Sequence, residues 1–342
     1  MERRTLLTGM TGVDRDDRIH AGWTPLRLPD ATAARTAGMG DGEDLRHSIE
    51  QTLDAVCRRI GARREDAELL HLHSNAVYRI TSAGVVVRIA LAHDAASRIA
   101  TSLRVTRWLA ARGVPTVEPA DEAGEQPLLV NGHVVSVWRL VDAPPDTATA
   151  TAYELGQILR TLHAQPEPPF PVPTVDDPFV RLRHETRTST VLSDRQRAWL
   201  LNRADELGRA WKTLRYPHPP ALVHGDAHPG NLLRTRDGRA VLCDWDGVAL
   251  GHREWDLVQV HYTCRRFGRP TTPDLDTLAE AYGWDIRDWP GLDTLIAIRE
   301  LSGLSPYLRT APGKPAARRE VAWRLKTLMR GDVQARWRPP GS

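Results

Sequence analysis

The sequence predicts an α+β protein of two lobes, a small N-terminal lobe built on an antiparallel sheet and a larger, mainly helical C-terminal lobe. Three observations predict it. Two hairpin signals fall before residue 142, capped helical patterns dominate afterwards, and the break Ala143-Pro144-Pro145-Asp146 separates the two regimes.

The first forty or so residues are rich in Thr, Gly, Asp and Arg without a sustained period, which reads as a flexible extension over 1–44. Met39 stands just before the first helical pattern, so a start at Met39 is an alternative. Ser48-x-x-Gln51 has the form of a capping box, and Ile49, Leu53, Val56 and Ile60 supply an apolar stripe that Gly61 ends. Ala76–Ile80 and Val85–Ala90 flank Thr81-Ser82-Ala83-Gly84 and predict a hairpin. A helix over roughly 95–112 stops at Gly113. Runs at 126–130 and 134–141 flank Asn131-Gly132, a favoured two-residue hairpin turn. These elements define a lobe over 45–142.

The helical lobe is expected over 143–332, with a tail at 333–342. Thr151-x-x-Glu154 caps a helix carrying Leu155, Ile158, Leu159 and Leu162; Ser193-x-x-Gln196 caps another that ends at Gly208. Late helices are expected over roughly 291–310 and 315–330.

Composition narrows the function classes. The 342 residues are 41% hydrophobic and 26% charged, with a formal net charge of +3, which is ordinary for a soluble protein and too weakly basic for a nucleic-acid binder. Three cysteines without metal-like spacing suit reduced thiols in the cytoplasm. No apolar run is long enough to cross a bilayer, so no membrane partner is expected. Nothing in the sequence decides between monomer and dimer.

The chemistry concentrates between Leu222 and Asp246. Asp237-Gly238 suits a two-residue turn, and in that register Asn231 and Asp244 are expected directly opposite each other on one face. An amide oxygen beside a carboxylate is a hard donor pair of the kind Mg²⁺ prefers. Asp226, on the preceding loop, can face the same point and accept a hydroxyl proton.

His224-Gly225-Asp226-x-His228-Pro229-Gly230-Asn231 followed by Asp244-Trp245-Asp246 resembles the aminoglycoside phosphotransferase and choline kinase-like family, whose fold is the bilobal protein kinase-like one. The resemblance spans roughly residues 45–330. It implies that Asp226 is the catalytic base, that Asn231, Asp244 and Asp246 hold Mg²⁺, and that ATP or GTP is the donor. It also implies a hinge at Trp138-Arg139-Leu140-Val141, so that Trp138 and Leu140 border the nucleotide. His228 either donates to a phosphate or orients its loop.

Three features depart from a kinase pattern. Arg88 stands on the strand where a phosphate-binding lysine is expected. The helix over 95–112 has no acidic residue to pair with it. The phosphate loop is represented by Leu72-His73-Ser74-Asn75 without glycine, leaving Ser74 and Asn75 as the phosphate donors. Downstream, Glu254 and Asp256 either face the acceptor or hold loop backbone. The expected function is phosphorylation of a small-molecule hydroxyl. A peptide hydroxyl acceptor and a nucleotide-binding module without transfer are the alternatives.

Overall fold

The computed structural model describes residues 39–72, 75–92, 95–141 and 150–338. The small lobe opens with α1 (Met39–Ile60), continues through β1 (Ala67–Leu72), β2 (Asn75–Ile80), β3 (Val85–Ala90) and α2 (Ala96–Ala110), and closes with β4 (Leu128–Val130) and β5 (His133–Arg139). Its five strands form one antiparallel sheet in the order β1-β2-β3-β5-β4.

Alternation along the strands divides this lobe into two apolar layers. Ile49, Leu53 and Val56 of α1 pack with Ile80, Val87, Ile89, Val135 and Val137 on one sheet face. Ile99 and Leu103 of α2 pack with Ala90, Val134 and Trp138 on the other. Arg88 alternates with Val87 and Ile89, which places it on the α2 face.

Both expected hairpins form. Gly84 (φ +64°) closes the first, and Asn131 (φ +49°) and Gly132 (φ +79°) make the left-handed pair that a two-residue turn requires. The start of α1 differs from expectation: the helix begins at Met39, so Ser48 lies inside it. Ser48 Oγ hydrogen-bonds His133 Nε2 of β5 at 2.9 Å, and Gln51 Nε2 hydrogen-bonds His47 at 2.8 Å, so neither side chain caps. The pattern Ser-x-x-Gln caps only where the preceding chain is not already helical. Strand β1, half-exposed at the sheet edge, is an addition to the expected elements.

The large lobe contains α3 (Ala152–His163), α4 (Val180–Thr188), α5 (Asp194–Thr213), α6 (Glu254–Phe267), α7 (Thr272–Tyr282), α8 (Leu292–Ser302), α9 (Ser305–Thr310) and α10 (Pro315–Met329). Between α5 and α6 run β6 (Ala221–Val223), β7 (Leu232–Arg234), β8 (Ala240–Leu242) and β9 (Ala249–Gly251), with β6 paired to β9 and β7 to β8. Both capping boxes form, at Thr151/Glu154 and Ser193/Gln196. Helix α5 passes through Gly208 and ends at Thr213, because Leu207 and Trp211 bury on one face and carry it onward. The span expected as one helix over 291–310 breaks at Gly303-Leu304, where a Cβ on Gly303 would lie 2.8 Å from the Tyr262 hydroxyl.

A strap joins the lobes. Residues 115–117 run beside β8, with Leu242 N donating to Pro115 O and Val117 N to Leu242 O, each at 3.1 Å. Among the described residues no helix is long and apolar enough to cross a membrane.

The closest helix pair is α3 on α7, where Gly156 faces backbone: a Cβ there would lie 2.7 Å from Leu278 O and 2.9 Å from Ala281 Cβ. Gly156→Val is therefore expected to destabilise the protein by about 1–3 kcal/mol through overpacking. At Gly208 the nearest atom is the tip of Arg183 at 3.3 Å, which can move, so Gly208→Ala should be neutral or stabilising. Thermal unfolding of the two variants checks this; equal shifts in both would refute the packing argument.

Candidate active site

Pairing of Val223 in β6 with Ala249 in β9 sets residues 224–226 beside residues 246–248. The two backbones touch: Gly225 has φ +89°, and a Cβ on it would fall 2.3 Å from Gly247 O. Only glycine satisfies both the left-handed conformation and this approach.

His224 is fully buried and ties the two loops together. Its Nε2 lies 2.9 Å from Cys243 O, and its Nδ1 is 3.3 Å from the amide of Asp226. Those partners call for the neutral ring, with Nε2 donating and Nδ1 accepting. Asp256, in the first turn of α6, holds the same loop from behind. Its Oδ2 accepts from His224 N at 2.7 Å, its Oδ1 from Gly225 N at 2.8 Å, and His163 Nε2 stands 3.1 Å from Oδ2. Burial pushes the Asp256 carboxyl up, but the His163 imidazole and the loop hydrogen bonds outweigh it and hold the group below its ordinary value. Asp256 thus holds backbone, the second of its two expected roles. Glu254, also fully buried, bonds His218 Nδ1 through Oε1 at 2.8 Å.

Asp226 is half-exposed, and its Oδ1 accepts from Gln259 Nε2 of α6 at 2.7 Å. Asn231 Nδ2 donates to Asp226 O at 2.9 Å, which leaves the amide oxygen of Asn231 as the acceptor available to a ligand. His228 Nε2 is 3.9 Å from Asp226 Oδ2. Burial lowers the His228 pKa against the opposing pull of Asp226. A Cβ at Gly230 would press on that ring at 2.9 Å, so the small residue leaves room for it.

The register of the β7–β8 hairpin is shifted by one residue from expectation. Leu232 pairs with Leu242 and Arg234 with Ala240, and Thr235 N bonds Arg239 O at 2.8 Å. The loop therefore has three residues, Arg236-Asp237-Gly238, with Gly238 left-handed at φ +83°. Asn231 opposes Cys243, whose amide donates to Asn231 O at 2.9 Å, and not Asp244. Asp244 instead adopts φ +64°, a strained conformation for a non-glycine residue that turns the chain out of the strand.

Above this loop stands Arg88 of β3. Its guanidinium lies 3.1 Å from Asp246 Oδ2 and 3.3 Å from Asp244 Oδ1. Burial opposes its charge, but the carboxylates of Asp246 and Asp244 together raise its pKa above the ordinary value. Asp246 and Asp244, across the cleft, are therefore carboxylate partners of Arg88, while α2 carries no acid. Helix α2 brings Arg98 there instead, with Nε 3.9 Å from Asp246 Oδ2, while Ser102 Oγ donates to Trp245 O at 2.9 Å.

The remaining expected residues fall differently. Trp138 is buried on the α2 face with Nε1 donating to Ser136 Oγ at 2.9 Å. Leu140, half-buried, bonds Gly84 O through its amide at 2.8 Å. Asn75 is buried at the start of β2, opposite Ala90. Ser74 lies outside the described residues. Further along, Asp274 caps α7, and Asp276 and Asp285 pair with Arg287, so these acids serve local structure.

Three residues here are not evident from the sequence: Gln259, Arg98 and Arg299. Arg299 of α8 lies over the Trp255 ring at 3.6 Å and donates to Gly225 O at 3.0 Å and Trp255 O at 2.6 Å. Burial pushes its guanidinium down to about 10. Gln259 follows Asp256 by three residues on one helix face, a spacing that points to it; Arg299 has no local signal.

Among the described residues no group of three or more His, Cys, Asp or Glu side chains could hold a metal ion. Asp244 and Asp246 with the Asn231 amide form a smaller, all-oxygen set, which fits a hard cation such as Mg²⁺ that keeps some of its water and takes further oxygens from phosphate.

A five-stranded lobe over a helical lobe, with these loops at the cleft, defines the protein kinase-like fold. The phosphotransferase enzyme family (APH) matches residues 66–295, and the chain belongs to it. Among solved structures, amicoumacin kinase hAmiN in complex with AMP-PNP, Ca²⁺ and Ami is 14% identical, with a TM-score of 0.67 over 86% of this chain and 97% of that one. A choline/ethanolamine kinase family protein from Mesorhizobium loti is 19% identical, with a TM-score of 0.58 over 83% and 96%. The GDP and kanamycin complex of APH(2″)-IIia is 16% identical, with a TM-score of 0.58 over 84% and 99%. No curated protein matches the sequence.

Because Gly225 meets backbone on Gly247, Gly225→Ala must separate the two loops. The expected result is a loss of about 1–3 kcal/mol in stability, with faster amide hydrogen exchange concentrated at residues 224–226 and 244–248. Unchanged protection at those amides would refute the contact's importance.

Proposed function

We propose that the chain transfers the γ-phosphoryl group of a nucleoside triphosphate to a hydroxyl of a small molecule, in the cytoplasm. The observation that carries this reading is the convergence of Asp244 and Asp246 under Arg88, with Asn231 bonded to the Asp226 loop beside them. Family membership supports phosphotransfer. The similar amicoumacin kinase and the similar kanamycin complex support a small-molecule acceptor. Three unpaired cysteines suit the cytoplasm.

In this reading Asp226 is the base. Gln259 occupies Oδ1, so Oδ2 takes the acceptor proton as the acceptor oxygen bonds to phosphorus. The bond from that phosphorus to the β,γ-bridging oxygen breaks, and the nucleoside diphosphate leaves. Asn231, Asp244 and Asp246 would hold Mg²⁺, which when bound neutralises charge on the phosphates. Arg88 would contact phosphate oxygens, drawing on a fixed charge and several donors. His228 would act as a hydrogen-bonding group. Trp138 and Leu140 would border the base of ATP or GTP, and Asn75 would lie at the phosphate end.

The competing reading, a nucleotide-binding module without transfer, draws on Arg88 engaging both carboxylates assigned to metal. A screen of hydroxylated metabolites and antibiotics with ATP or GTP and Mg²⁺, read by mass for one added phosphoryl group, separates the two. Asp226→Ala is expected to lower transfer by about 10²–10⁴-fold while nucleotide still shifts the thermal midpoint. Transfer that survives in this variant would remove Asp226 as base. Nucleotide binding without any transfer across the panel would favour the module.

A further inference from the structure

Helix α2 carries Arg98, Arg104 and Arg107 and no carboxylate. Arg104 and Arg107 are exposed. Arg98 differs: it shares a helix face with Ser102, one turn on, whose hydroxyl is fastened to Trp245 O. That attachment delivers Arg98 to the 244–247 loop.

The position of its guanidinium is incompletely satisfied. Arg98 Nε is buried and has no hydrogen-bond partner. Its nearest carboxylate oxygen, Asp246 Oδ2, is 3.9 Å away, beyond hydrogen-bond range, and that same oxygen already serves Arg88 at 3.1 Å. A buried donor left without an acceptor is unfavourable, and an anionic oxygen entering between the two guanidiniums would satisfy it.

We propose that Arg98 is a second phosphate-recognising cation, forming with Arg88 a two-arginine cradle for the polyphosphate of the nucleotide. The inference rests on the phosphotransfer reading and extends it. Where a lysine and a helix carboxylate would make an internal ion pair with no net charge, Arg88 and Arg98 contribute two positive charges. Both charges face the carboxylates of Asp244 and Asp246, so the arginines are freed for phosphate once a divalent cation takes those carboxylates, and polyphosphate should bind more weakly without it. Arg88 needs no acid on α2, because Asp246 across the cleft orients it.

The test uses the purified full chain, with ADP, AMP-PNP and inorganic tripolyphosphate as probes, titrated calorimetrically with and without Mg²⁺. Arg98→Ala is expected to weaken all three by about tenfold or more, as loss of a charge-assisted hydrogen bond implies. The nucleotide KM should rise more than kcat falls, and the thermal midpoint of the free protein should change little. Arg98→Lys should recover part of the affinity. Arg98→Glu is the decisive variant: a phosphate-binding role makes it worse than alanine, in the native background and with Arg88→Lys. A role limited to steadying residue 88 makes glutamate equal to or better than alanine, which would overturn the proposal. Unchanged probe affinity in Arg98→Ala, with transfer by the native protein intact, would overturn it alone. Failure of the native protein to bind any probe would overturn the phosphotransfer reading as well.

Discussion

The carboxylate of Asp256 lies where three distant segments of the chain meet, and the geometry of the cleft follows from its hydrogen bonds. A buried carboxylate is tolerable only when its charge is fully engaged. Here two backbone amides of one loop and the ring of His163 from α3 engage it. Those amides belong to His224 and Gly225, so the acid fixes the peptide planes immediately before Asp226. Gln259, one helical turn further along α6, then fixes the Asp226 side chain itself. One rigid helix thereby sets both the backbone and the side chain of the proposed base, which a loop alone could not do. Arg299 completes the clamp from α8 by taking the carbonyl of Gly225.

The second constraint is electrostatic and joins the lobes. Arg88 belongs to the sheet, while Asp244 and Asp246 belong to the loop beyond β8, so their attraction acts across the cleft. Coulomb energy in such a partly desolvated place exceeds that of a surface pair. The same carboxylates are those proposed to hold metal, so cation, phosphate and guanidinium would share one set of charges. Ligand entry in this arrangement is an exchange of partners, not the filling of a neutral space.

Much of this was legible in the sequence where local chemistry decides the outcome. Asn131-Gly132 can adopt its left-handed pair almost regardless of context, and the Thr151/Glu154 and Ser193/Gln196 boxes satisfy their own amides. The two hairpins of the small lobe, the helices those boxes open, and the grouping of Asp226, Asn231 and Asp244 on adjoining loops came from such signals. What was not legible depends on distant partners. Ser48 looked like a cap because its hydrogen bond to His133 spans 85 residues. The hairpin at Asp237-Gly238 was one residue out of register because that dipeptide suits both two- and three-residue loops, and the flanking strands are too short for their alternation to arbitrate. Arg98 and Arg299 reach the cleft only through packing of whole helices.

The strap at residues 115–117 gives the molecule a preferred axis. Its two backbone hydrogen bonds, and a third from Thr116 Oγ1 at 3.3 Å, fall on a single residue, Leu242, which is fully buried in the core of the large lobe. A rotation of the small lobe that preserves these bonds and the one from Ser102 Oγ to Trp245 O turns close to residues 242–245, and points near the axis travel least. Asp244 lies only two residues along the chain from Leu242, so the loop would act as a nearly stationary anvil while Arg88 swings above it. Cleft opening would then be read chiefly in the arginine-to-carboxylate separation, with the donor oxygens of the loop keeping their mutual arrangement throughout.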